Sequence, residues 1–250
     1  MAVTGNQPYH LLIVIPAKDE QLNIEACLTH MLLSRAQLAT QLQRQTHIVV
    51  VCDACTDATA MLANSLLCPV RDAVISCNFG NVGRARALGA QVAWQMVQHD
   101  AMPNAAWYAF TDADTCVPID WLAQHLMHLR SDSHAALGIV QIDRLDPAVR
   151  NNFELAYLKK MHGAGHFHIH GANMGVRADR YWAVGGFPAL TAHEDRELVK
   201  RLLAAGARIL RDRHLVVTTS GRMHGRAPAG FAQDLRRLQS SQREHKAEFS

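Results

Sequence analysis

Leu11-Leu12-Ile13-Val14-Ile15-Pro16-Ala17-Lys18-Asp19-Glu20 is the stretch from which the fold can be read. Five apolar residues, bounded by His10 and Pro16, run into a polar, acidic tail. An apolar run this short and this rich in branched side chains is a buried strand. The same figure recurs down the first 145 residues. Residues 48–52 lead into Asp53-Ala54-Cys55-Thr56-Asp57, and residues 73–76 into Asn78-Phe79-Gly80-Asn81-Val82-Gly83. Residues 106–111 lead into Asp112-Ala113-Asp114, and residues 137–142 form a fifth run. Helix-like segments at 24–43, 57–67, 83–99 and 119–130 separate them. Buried strands alternating with helices predict an α/β chain, a Rossmann-like three-layer αβα sandwich around a mostly parallel sheet. Such sheets bind ligands beyond the carboxyl ends of their strands, which is where this sequence concentrates its polar residues.

The chain has 250 residues, with 25 Lys plus Arg against 22 Asp plus Glu and a net charge of +3. That length fits a single domain whose core needs no disulfide or metal to fold. The weak, scattered charge argues against a nucleic-acid partner. No apolar run reaches the ~18 residues of a membrane span. The polar N-terminus does not read as a secretory signal, and the six cysteines lack a zinc-finger layout. The expectation is a soluble, cytoplasmic protein with reduced thiols. Past residue 145 the pattern changes. A helix at 151–161, a Gly- and His-rich stretch at 162–175, a helix at 194–205 and a strand pair at 207–210 and 215–219 are expected. An Arg-rich loop and a polar helix at 231–246 follow. One domain of 1–250 therefore divides into a nucleotide- and metal-binding half (10–145) and a small acceptor-side half (146–250).

Asp112 and Asp114 stand two apart just after a strand, and a turn there lets both converge. Paired carboxylates suit Mg²⁺ or Mn²⁺, with phosphates completing the coordination. The structural alternative is an Asp-rich turn capping the next helix. Between 78 and 89, glycines, a helix start and the pair Arg84 and Arg86 are the means of holding a diphosphate, or else a helix start with solvated arginines. The GxGxxG spacing of a dinucleotide site is absent. Asp53, at a strand end, is placed to accept a hydrogen bond from a base or ribose, whereas Asp57 reads as a helix cap. Glu194 and Asp195 stand at a helix start, where acids stabilise a helix and where an Asp over a pocket can serve as general base. His166, His168 and His170 alternate, so they share a strand face, which reads as a polar wall beside a cleft more readily than as a zinc site. His224 lies in Ser220-Gly221-Arg222-Met223-His224-Gly225-Arg226, a loop fitted to close over a diphosphate.

Together these residues resemble the family 2 glycosyltransferases of GT-A fold over roughly residues 10–225. Residues 14–20, 53–59, 81–89 and 112–114, then Gly171-Ala172-Asn173, Gly185-Gly186-Phe187 and Glu194-Asp195-Arg196-Glu197-Leu198, follow the family's motifs in order. The resemblance implies that Pro16, Ala17, Glu20 and Asp53 hold a nucleotide, most often uridine. Asn81, Gly83, Arg84 and Arg86 would lie near base or diphosphate, joined by Ala113, Glu194 and Arg222. Asp112, Asp114 and His224 would carry Mn²⁺ or Mg²⁺, and Gly171, Ala172 and Asn173 would line the sugar pocket. Asp195 would be the base of an inverting enzyme, favoured over a retaining one. The implied function is metal-dependent transfer of a sugar from a nucleoside-diphosphate sugar, UDP-linked by preference, to a hydroxyl of a small soluble acceptor. A binding protein without transferase activity and a nucleotidyltransferase are the alternatives, and a homo-oligomer is left open. Cys52 departs from the pattern, standing where the family has an Asp beside Asp53.

Overall fold

The computed structural model describes residues 8–143, 157–158, 161–162 and 165–221. The expected runs become β1 (His10–Ala17), β2 (Thr46–Asp53), β3 (Ala73–Cys77), β4 (Ala106–Phe110) and β6 (Ala135–Asp143). Helices α1 (Ile24–Ala36), α2 (Thr40–Arg44), α3 (Thr59–Leu66), α4 (Val82–Val97) and α5 (Trp121–Arg130) fall between them. The short β5 (Thr115–Cys116) and β7 (Met161–His162) with β8 (Gly165–His166) follow, then β9 (Met174–Arg177), α6 (Ala178–Ala183), α7 (Glu194–Ala204) and β10 (Ile209–Ser220). One sheet has the order β3-β2-β1-β4-β9-β6-β10-β5, and β7 pairs with β8 in a separate hairpin.

The period of two in the strands decides which layer each side chain joins. Leu11, Ile13 and Ile15 of β1 pack with Ile48 and Val50 of β2 under Ile24, Leu28, Met31, Trp121 and Leu122. Leu12 and Val14 face the opposite way, with Val49 and Val51, under Ala90, Ala93, Tyr181, Leu198 and Leu202. Helices α1, α3 and α5 thus cover one face, and α4, α6 and α7 the other. This is the three-layer arrangement expected from the sequence.

Two expectations needed correction, and one strand was not expected. The helix expected at 24–43 breaks into α1 and α2. The strand pair expected at 207–219 is one strand, β10, parallel to β6 with an irregularity between Arg211 and Val216. Strand β9 went unpredicted, and it runs antiparallel between β4 and β6. Its four residues, Met174-Gly175-Val176-Arg177, contain a glycine and are too few for a periodicity to show.

The sheet opens between β1 and β4. Their register ends at Val14↔Phe110, and Thr111 N donates to Val14 O at 3.3 Å as the last rung. Strand β1 continues beside β2 to Ala17↔Cys52. Pro16 has the same parity as Val14, so the N–H it lacks would point at the gap where β4 has already left. A proline is tolerated there because no ladder bond is lost. Chain connections run from β1 to one side and arrive at β4 on the other, which makes this gap the switch point of the sheet.

Candidate active site

Asp112, Gly171, Glu194 and Asp195 gather at this gap around one guanidinium, that of Arg86. On α4 the buried positions Gly83, Arg86, Ala90, Ala93 and Val97 recur at helical spacing, so Arg86 is turned inward. It is 3% exposed. A buried charge needs partners, and Arg86 has two. Nη2 contacts Asp112 Oδ1 at 2.5 Å, and Nη1 pairs with Glu194 Oε1. The Phe187 ring lies beneath, 5.6 Å from Cζ. A Cβ at position 171 would stand 2.5–2.6 Å from the guanidinium atoms, so only glycine lets the chain pass.

Asp112 follows β4 directly, and the antiparallel β9 explains how Gly171 reaches it. With Phe110 opposite Met174, the residues just beyond β4 lie beside those just before β9. Asp195, in the first turn of α7, closes the circle: its Oδ2 accepts from Gly171 N at 3.0 Å and its Oδ1 from Arg196 N at 2.7 Å. His193 precedes that helix in a left-handed turn, with φ of 61°.

Three carboxylates therefore surround one guanidinium. Burial alone would lower the Arg86 pKa, but Asp112, Glu194 and Asp195 carry it upward. Burial pushes the Glu194 carboxyl above its ordinary range; Arg86 opposes this, and Asp195 and Asp112 add to it. The cluster retains net negative charge, which suits a divalent cation bringing a diphosphate with it. Asp114 is held alongside. Its carboxylate accepts from Thr219 Oγ1 at 3.3 Å and its carbonyl from Ser220 N at 3.1 Å. The buried Cys27 thiol donates to the Asp112 carbonyl at 3.5 Å, and it is pushed well up by burial first, and then by Cys116, Asp114 and Asp112. Two carboxylates two residues apart, that of Asp112 35% exposed, are hard oxygen donors of the kind that fits Mg²⁺ or Mn²⁺.

On the other side of the gap two loops clasp each other. Lys18 Nζ donates to Ala54 O, Gln21 N to Asp57 Oδ2 at 3.0 Å, and Glu20 N to Thr59 Oγ1 at 2.7 Å. Thr56 N and Oγ1 both donate to Asp19 Oδ1, and the backbone bond leads in holding that carboxyl down at about 2. Ligand atoms of Asp19, Cys55 and Asp57 fall within 4.8 Å of one another. Their hydrogen bonds make them part of this clasp. Pro16, Ala17 and Glu20 are buried in its floor, with Glu20 accepting from Asn23 Nδ2 at 2.7 Å. Asp53 takes three backbone N–H groups, from Phe79 (2.6 Å), Gly80 (2.9 Å) and Asn81 (2.8 Å). The Cys77 thiol, 3.6 Å from Oδ1, adds a fourth donor, so about all of its four lone-pair sites are engaged. Arg84 is exposed over the Phe79 ring, 4.1 Å from its centroid.

Several expected contact residues prove to be structural. Asn173 is fully buried: its Oδ1 accepts from Trp121 Nε1 at 3.0 Å, and its Nδ2 donates to Ile139 O and Leu215 O at 2.8 Å each. It joins β6 and β10 to α5, and both ends of its amide are engaged there. Asn81 caps α4 by accepting from Arg84 N and donates to Leu190 O, which uses both ends of its amide. At Gly83 a side chain would strike Pro188 O and Glu194. Ala113 is 2% exposed and belongs to the core.

The histidines at 166, 168 and 170 do share one side. His168 stacks on Tyr157 at 3.5 Å between centroids and lies 5.5 Å from His170. His166 Nε2 faces Leu137 O and His168 Nε2 faces Tyr157 O, both at 3.0 Å, so carbonyls engage them as a packed wall. Arg222, His224, Arg226 and the helix expected at 231–246 lie outside the described residues. Cys27 and Thr219 were missed by the sequence reading. One sits mid-helix and the other in an apolar-looking strand, with no local signal to mark them.

The description "Glycosyl transferase family 2" fits residues 12–182, more than half of the chain. No curated protein matches it. Among solved structures, the mannosyltransferase PcManGT from Pyrobaculum calidifontis, in complex with GDP-Man and Mn²⁺, is similar at 17% identity and a TM-score of 0.59. That match covers 94% of this chain and 61% of the other. S. aureus TarS 1-349 is similar at 13% identity and a TM-score of 0.54, covering 85% of this chain and 58% of the other. The chain thus spans about three-fifths of the length of these structures, and they share its GT-A fold. No helix among the described residues is long and apolar enough to cross a membrane. Fold, order of motifs and family match agree: the chain belongs to glycosyl transferase family 2.

Proposed function

We propose that this protein transfers a sugar from a nucleoside-diphosphate sugar to a hydroxyl of a small soluble acceptor in the cytoplasm. The observation that carries the reading is the Arg86 junction, where Asp112, Glu194 and the 171 turn meet at the switch point with Asp195 beside them. A divalent cation held by Asp112, Asp114 and His224 would neutralise charge on the departing diphosphate. Ser220, which binds the Asp114 carbonyl, stands four residues before His224. Arg84 and Arg222 supply further positive charge toward the diphosphate, and Asp53 orders the 79–81 turn beside the nucleoside. Asp195 accepts the acceptor hydroxyl's proton in an inverting displacement. Its two hydrogen bonds to backbone N–H groups orient the carboxylate for that task.

UDP is the favoured donor nucleotide from the family resemblance. The GDP-Man and Mn²⁺ of the Pyrobaculum structure support the broader class of diphosphate sugar with divalent cation. Calorimetric titration of UDP and of GDP, each with Mn²⁺ and then with EDTA, tests the reading. Metal-dependent micromolar binding of UDP is expected. Tighter binding of GDP would replace the nucleotide, and binding of neither would refute the transferase reading.

A further inference from the structure

At the other end of the same strands lies a cavity of about 540 Å³ lined by four arginines, Arg130, Arg177, Arg180 and Arg208, and two aspartates, Asp132 and Asp179. Strand β4 starts beside it and ends two residues short of Asp112, so roughly 20 Å of extended chain separates the two sites. We propose that this cavity is a second ligand site that takes a phosphorylated small molecule.

Charge is the first reason. Four guanidiniums against two carboxylates leave an excess of two positive charges, which a phosphate dianion would match. His134, in the wall, reports the same field: burial lowers its pKa first, and Arg177, Arg180 and Arg208 lower it further. A neutral His134 then accepts the Arg208 N–H at 3.0 Å.

Unused donors are the second. Arg177 is committed to Asp179 through Nε (2.7 Å) and Nη2 (3.0 Å), and Arg208 donates to the Asp132 carbonyl and pairs with its carboxylate. The Arg180 side chain is 39% exposed, with Nε 3.5 Å from Asp179, and its two terminal nitrogens make no hydrogen bond among the described residues. Arg130 lies over the Tyr9 ring at 5.2 Å and has no carboxylate partner among the described residues. Two guanidiniums thus keep donors for a ligand, in a space within the ~300–1,000 Å³ usual for small-molecule sites. The remaining volume, bordered by Tyr9 and Asn104, favours a phosphate ester over the bare ion.

Calorimetry on the full chain in EDTA, at fixed ionic strength, tests this with ribose 5-phosphate and with inorganic phosphate as probes. Saturable binding is expected for both, with the ester tighter by roughly five-fold or more. Arg180→Gln should weaken the ester roughly ten-fold, the effect of losing one charge-assisted contact. Asp132→Asn should strengthen it a few-fold by removing an opposing charge. Asp132 has φ of 62°, where Asn is well accommodated, so that variant should melt like the wild type. Asp112→Asn, at the opposite end, should leave the ester's affinity unchanged. Absence of saturation at 10 mM (roughly the weakest affinity worth the name), equal affinity for both probes, an unaffected Arg180→Gln variant or a weakened Asp132→Asn variant would each overturn the proposal.

Discussion

Replacing Arg86 with methionine tests the electrostatic centre of the molecule. The substitution keeps an unbranched apolar stem and removes the charged head. Glu194, 6% exposed, then loses its ion-pair partner, while Asp112, with 35% of its side chain exposed, can turn to water. Stranding a buried charge in this way costs about 3–5 kcal/mol. For a chain of this size that is a fall in Tm of roughly 6–20 °C. The loss should depend on pH with a definite sign. In the folded chain Glu194 titrates above its ordinary range, so just above that range the folded state binds more protons than the unfolded. Stability therefore falls as pH rises between the ordinary and the raised pKa. Without Arg86 the pKa rises further and the fall continues through neutrality. Thermal melts at pH 5, 6.5 and 8 should show a deficit that is small at the acid end and full at the alkaline end. Adding Glu194→Gln to Arg86→Met should recover most of it at pH 8. A deficit below about 1 kcal/mol at pH 8, or one equal at all three pH values, would refute the reasoning.

Asp195→Asn should lower turnover by about 10²–10⁴-fold while nucleotide affinity stays within a few-fold; a variant with most of its activity intact would remove Asp195 as the base. His224→Ala should weaken Mn²⁺-dependent nucleotide binding and leave metal-free binding alone, and identical titrations in both conditions would take His224 out of the metal site. Asn173→Ala should lose about 3–5 kcal/mol in urea unfolding, because Trp121 Nε1 and two carbonyls lose a buried partner. Were it instead to fold stably and lose donor affinity, Asn173 would belong to the sugar pocket after all.

The layers of this protein were legible in its sequence because each strand states its own burial. Leu11 to Ile15 is apolar at every position, as a strand covered on both faces must be, and Pro16 marks where its partner departs. The same local logic placed Asp53, Asp112 and Asp195 at element ends, where a carboxylate finds backbone or side-chain donors. The partners of these residues are a different matter. That Arg86 is buried against Asp112 and Glu194 depends on β9 running antiparallel beside β4, and four residues with a glycine carry no periodic signal of that strand. Asn173 reads in sequence as part of a pocket motif, yet the meeting of Trp121, Ile139 and Leu215 around it makes it an internal brace. The four arginines of the second cavity stand at 130, 177, 180 and 208, from three parts of the chain, and nothing in their spacing joins them. Local pattern determines which residues are inside and where chains turn, since burial and backbone geometry are properties of neighbours in sequence. Only the tertiary structure decides which charges share a site, since that depends on contacts between segments brought together by the sheet.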